Sequence, residues 1–111
     1  MAENETPEPL IVHVAIGNSD NKLTQRQWFN FHHDTHRAIE SAASEIHGAW
    51  VSPSTSPYQN AGWAFLVIDD GYRNRLRGWL SELAEQYEQD SIAWNESATE
   101  LITPPLVDSP S

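Results

Sequence analysis

The sequence predicts an α+β fold, a four-stranded antiparallel sheet with two helices on one face, and three observations carry that reading. Leu10-Ile11-Val12-His13-Val14-Ala15-Ile16 is almost wholly apolar and stops at Gly17, as a central strand does. Two longer stretches, over 24–44 and after Asp69-Asp70-Gly71, repeat apolar residues at three- and four-residue spacing. Between them lie two short runs rich in Trp, Val, Phe and Ile, joined by a turn-forming segment.

The first strand leads into Asn18-Ser19-Asp20-Asn21-Lys22, a polar loop. Thr24 with Gln27 three residues on is a capping box, in which the two side chains satisfy backbone N–H groups that the first helical turn leaves free. Leu23 and Trp28 stand at the positions of a hydrophobic staple. Trp28, Phe31, Thr35, Ala38, Ile39 and Ala42 then form one apolar stripe, with Arg26, His33, Arg37 and Glu40 largely opposite.

The runs 47–52 and 61–68 read as a hairpin whose loop holds Pro53, Pro57, Gln59 and Asn60. Asp69-Asp70-Gly71 caps a second helix, with Tyr72, Leu76, Trp79, Leu80, Leu83 and Tyr87 on one face and acids suited to the positive end of the helix dipole. Residues 91–94, with room to extend toward Ile102, alternate like an edge strand. Strand, helix, strand, strand, helix, strand is the βαββαβ order of the ferredoxin-like architecture.

A chain of 111 residues suits one domain, expected over 10–103 with mobile tails at 1–9 and 104–111. Sixteen acidic against six basic side chains, a net charge of -10, disfavour nucleic acid and anionic membranes as partners and leave a basic protein open. Without cysteine there is neither a disulfide nor a thiolate site. The acidic, proline-bearing first nine residues do not resemble a secretory signal, no apolar run is long enough to span a membrane, and a cytoplasmic protein is the expectation.

In this architecture the ends of strands one and two and the starts of strands three and four meet at one rim. That rim gathers Asn18, Ser19, Asp20, Lys22, Gln59, Asn60, Gln89 and Asp90 as a candidate site for a polar small molecule or a backbone segment, near the N-terminus of helix one. The alternative, that these are the polar loop ends of any sheet, stays open. His32 and His36 stand one helical turn apart, a spacing that lets two imidazoles share zinc, but His33 replaces the glutamate of HExxH and no third ligand is evident. No metal and no cofactor are expected. His13 and His47 fall toward the other end of the sheet, and no catalytic residue is assigned.

Five tryptophans exceed what so small a core usually needs. Trp28 and Trp79 belong to helix stripes. Trp50, Trp63 and Trp94 lie on strands, and with His13 they form the expected interface of a homodimer packed sheet to sheet.

The segments Ile16-Gly17-Asn18-Ser19-Asp20-Asn21-Lys22-Leu23-Thr24-Gln25, His47-Gly48-Ala49-Trp50-Val51-Ser52, Gln59-Asn60-Ala61-Gly62-Trp63 and Gln89-Asp90-Ser91-Ile92-Ala93-Trp94 resemble those of small uncharacterised proteins from actinobacteria and their phages. That resemblance implies no activity. Acylphosphatases are similar in size and element order, but their glycine-rich, arginine-bearing phosphate loop has no counterpart in Gly17-Asn18-Ser19-Asp20. Dimeric α+β-barrel monooxygenases resemble the chain in architecture and pairing only. Two classes of function follow. One is a non-enzymatic binding or regulatory protein, an interaction module or small-molecule sequestering protein, of which a phage-type inhibitor of a host factor is one form. The other is a small enzyme at the rim, with Asp20 or Asp90 as acid or base, Lys22 as electrostatic partner and Asn18, Gln59 and Asn60 orienting the substrate.

Overall fold

A computed structural model describes residues 10–53, 55–98, 102, 104 and 105. The expected tails therefore lie outside the described residues except at Pro104 and Pro105. The elements are β1 (Leu10–Gly17), α1 (Gln25–Ala42), β2 (Glu45–Val51), β3 (Asn60–Leu66), α2 (Asp70–Gln86) and β4 (Ala93–Ala98), with a short 3-10 turn at Ser19–Asn21. The sheet order is β2-β3-β1-β4 and every neighbouring pair is antiparallel. This is the α+β, ferredoxin-like arrangement read from the sequence.

Local chemistry explains most boundaries. At the start of α1 the Gln27 N–H donates to Thr24 Oγ1 at 3.1 Å and the Thr24 N–H donates to Gln27 Oε1 at 2.8 Å, which completes the capping box. Asp69 caps α2, its Oδ1 accepting from the N–H groups of Gly71 (2.6 Å) and Tyr72 (3.2 Å). Helix α1 ends at Ala42, two residues short of expectation, because the Ser44 N–H already donates to Leu66 O at 2.7 Å and draws the chain into the sheet. The last strand begins at Ala93 and not at Ser91. Glu88 takes the left-handed region at φ 57° and the Gln89 N–H returns to Ala84 O at 2.8 Å, so the chain first folds back on α2. Beyond Ala98, residues 99–101 lie outside the described residues.

Alternation along β1 sends Val12, Val14 and Ile16 into the core with Phe31, Ile39, Phe65, Leu76 and Leu80. Register then decides the tryptophans. Trp63 and Trp94 both stand opposite Val14, one on each neighbouring strand, so both share its helix-side face. Trp63 is 2% exposed beneath α1, and Trp94 meets Phe65 edge-on under α2. Their expected place on the outward interface is thereby corrected: of the strand tryptophans only Trp50 lies on the helix-free face, paired with Gly62. Edge strand β2 carries one extra residue, His47, between Ile46 opposite Phe65 and Gly48 opposite Ala64.

The two helices meet at Tyr87, whose hydroxyl donates to Asp34 Oδ2 at 2.6 Å while its ring stacks on Phe31 with centroids 4.9 Å apart.

Candidate functional site

The rim forms as the topology requires, but its amides are turned inward. Asn18 is 3% exposed. Its Oδ1 accepts from the Leu23 N–H at 2.9 Å, and its Nδ2 donates to Leu23 O and to Gln59 Oε1, both at 3.1 Å. Gln59 continues the chain of amides, donating through Nε2 to Gln25 Oε1 at 3.1 Å. One side chain thus ties the β1–α1 loop to the β2–β3 loop and to the first turn of α1. Gln89 is also buried and donates to Tyr87 O at 3.0 Å. Lys22 points elsewhere, its ammonium donating to Glu88 O at 2.9 Å. Ser19 lies in the 3-10 turn, and its side chain is outside the described residues.

Two shallow hollows stay open at the rim: one of about 370 Å³ lined by Gly17, Asn18, Asp20, Tyr58, Asn60 and Asp90, and one of about 580 Å³ in which Gln25, Ser52, Gln59 and Asn60 take part. The structure therefore brings Asp20, Asn60 and Asp90 to one concavity, the smaller, with Asn18 in its wall, while Gln59 and Gln89 are not among its lining residues. Asp20 sits at φ 56°, in the left-handed region that aspartate tolerates better than most residues.

Another concavity, about 360 Å³, opens between α1 and β2. Phe29, His32, His33 and His36 line it from the helix, Ala49 to Val51 from the strand, and Trp63 from below. The Trp63 indole N–H donates to His36 Nδ1 at 3.0 Å. A ring nitrogen that accepts carries no proton, so neutral His36 holds its hydrogen on Nε2, which lies 3.9 Å from Glu40 Oε2. The His32 ring centroid is 5.1 Å from that of Trp63 and 6.4 Å from that of Trp28, and among the described residues His32 makes no hydrogen bond. Burial first, then the neighbouring His36 and His33, holds its imidazole below the usual histidine value. Phe29 and His33 stack nearly parallel at 6.1 Å. Among the described residues no group of three or more His, Asp or Glu is placed to hold a metal ion. The sequence reading missed this groove. Its one local signal is Phe29, 65% exposed and one turn before His33, an aromatic residue off the apolar stripe.

The helix-free face carries small side chains. Trp50, Gly62, Ala15 and Ala93 form one row across the sheet, and Gly48, Ala64, His13 and Asn95 form the next. The indole of Trp50 lies directly over Gly62, where a Cβ would collide with it. On the other side of the sheet Trp94 is fully engaged: its Nε1–H and the Arg77 guanidinium both donate to Glu96 Oε2 at 2.9 Å, with Arg77 over the indole at 4.9 Å.

Fold and sites together define a ferredoxin-like α+β domain, with one sheet face that no helix covers among the described residues. No protein-family model and no curated protein matches the sequence. Solved structures match the fold. A dimeric ferredoxin-like protein of unknown function from Thermobifida fusca is similar at TM-score 0.54 and 16% identity, over 89% of this chain and 100% of that one. A de novo designed protein matches at TM-score 0.58 and 9% identity, over 84% and 100% of the two chains. Hydroxynitrile lyase from Passiflora edulis matches at TM-score 0.50 and 12% identity, over 88% and 100%. A designed chain and a lyase on one backbone plan show that the plan itself names no activity. Among the described residues no helix is long and apolar enough to cross a membrane.

Proposed function

We propose that this chain is a non-enzymatic binding protein that works as a homodimer, two copies packed helix-free face to helix-free face. The observation that carries the reading is how charge is distributed. In a chain of net charge -10, Glu45 and His13 are the only ionisable residues in the paired rows of that face among the described residues. Its other members include Trp50, Leu66, Ile11 and residues as small as Gly62, Ala15, Ala64 and Ala93, with the uncharged polar Asn95 and Ser97 on β4. A face nearly free of like charge on an otherwise acidic molecule favours self-association, because pairing buries apolar area without forcing carboxylates together. The similar Thermobifida fusca protein is itself dimeric, which supports the same use of the fold. In such a pair the acidic surfaces point outward, toward a basic protein partner in the cytoplasm, and a phage-type inhibitor of a host factor is one form this takes.

The second reading, a small enzyme at the rim, rests on Asp20 and Asp90 sharing the hollow with Asn60. It is weaker because Asn18 and Gln59, the groups expected to orient a substrate, are bonded to the protein itself.

Sedimentation of the chain at tens of micromolar tests the pairing: a dimer is expected, and Ala15→Arg, which adds charge to the middle of the face, is expected to run as a monomer. A monomeric parent protein removes the proposal. Native mass spectrometry with a pull-down tests binding, and turnover of a polar small molecule abolished by Asp90→Asn would favour the enzyme instead.

A further inference from the structure

We propose that the groove between α1 and β2 binds a phenol, with the ring in the slot between Phe29 and Val51 and the hydroxyl between His32 and His36. This rests on reading the chain as a binding protein, and it does not depend on the pairing of two copies.

Three observations converge. The groove, about 360 Å³, has the size of a small-ligand site and is lined by apolar and aromatic groups, with imidazoles as its side-chain hydrogen-bonding groups. His36 is oriented by its bond from Trp63, so its Nε2–H is fixed as a donor. His32 is half-buried against Trp63 and makes no hydrogen bond among the described residues, so both of its ring nitrogens are open to a ligand.

Those nitrogens decide the class of ligand. A neutral imidazole offers one donor and one acceptor, and with the Nε2–H of His36 the groove presents donors and an acceptor at one end of an apolar slot. A hydroxyl uses both, accepting from one ring and donating to the other. A carboxylate uses donors alone and favours a cation beside it, and burial disfavours the charged form of His32. An aliphatic alcohol satisfies the imidazoles but not the slot, whose walls are the Phe29–His33 stack and Trp63.

The test is a titration of the full chain with p-cresol, toluene and benzoate, followed through the histidine and tryptophan side-chain NMR signals. We expect p-cresol to saturate shifts at His32, His36 and Trp63, with Trp94 unmoved, and toluene and benzoate to bind at least about tenfold more weakly, since toluene forgoes both hydrogen bonds of the hydroxyl and each is worth up to about tenfold. His32→Phe, which keeps a ring of similar size and leaves the His36 donor in place, should weaken p-cresol severalfold toward the level of toluene without changing toluene itself, and an unchanged Trp94 signal shows that this variant is folded. N-acetyltyrosinamide binding as well as p-cresol would identify the phenol as a tyrosine of a protein partner, and its exclusion would identify a free small molecule. Toluene equal to p-cresol, benzoate tighter than either, no effect of His32→Phe, or no saturable shift at millimolar p-cresol each overturns the proposal. Sedimentation of the same samples reports the pairing separately, so the failure of either reading is distinguishable from that of the other.

Discussion

The indole of Trp63 and the imidazole of His36 are joined by a 3.0 Å hydrogen bond that links β3 to α1 beneath the groove. Trp63 is almost fully buried, so removing its acceptor leaves the indole N–H at the floor of the groove without its protein partner. His36→Ala is expected to lower stability by about 1–3 kcal/mol, the usual effect of orphaning a buried donor. Urea unfolding followed by tryptophan fluorescence measures this, and a double-mutant cycle with Trp63→Phe should return a coupling of the same sign.

Asn18 and Asp20 lie two residues apart at the rim and should respond in different ways. Asn18→Ala removes three side-chain hydrogen bonds at a buried position and is expected to destabilise the fold by about 1–3 kcal/mol. Asp20→Gly should be close to neutral, because glycine takes φ 56° freely, whereas Asp20→Ala puts a Cβ in the left-handed region with no polar group to compensate. Thermal unfolding of the three variants, ranked Asp20→Gly, Asp20→Ala, Asn18→Ala from most to least stable, is the check.

Tyr87 supplies a prediction at alkaline pH. Its hydroxyl is pushed up to about 12, first by burial and then by its hydrogen bond to Asp34 and the charge of that carboxylate. The folded value lies above the unfolded value of about 10, so the folded state keeps a proton that the unfolded state loses. The stabilisation is complete below pH ~10 and disappears as pH rises through the folded value. Phenolate absorbance should show one late-titrating tyrosine, and Asp34→Asn should move it to lower pH.

Elements set by neighbouring residues were legible in the sequence. Thr24 with Gln27, and Asp69 with the N–H groups of Gly71 and Tyr72, make their bonds within three residues, so the starts of both helices follow from residue type and spacing alone. What the sequence obscured depends on distant partners. Trp63 and Trp94 face the helices because register places both opposite Val14, and Trp63 and Trp94 are 31 positions apart only in the chain's numbering while sharing one row of the sheet. The polarity of Asn18 and Gln59 was visible, but their bond spans 41 residues, so the amides of a site and the amides of a latch look alike until the loops meet. The groove exists only once β2 lies beside α1, which the stripe of α1 does not reveal.

His47 changes the phase of the strand in which it sits. Residues four apart in a regular strand point to the same side, yet Ile46 packs against the core while Trp50 lies on the opposite face over Gly62. The extra residue between them lets one short strand serve two surfaces, filling the interior at one end and presenting an indole outward at the other. It also breaks the regular row of backbone donors and acceptors along an outer edge, where an uninterrupted row would invite strands from other molecules to add on.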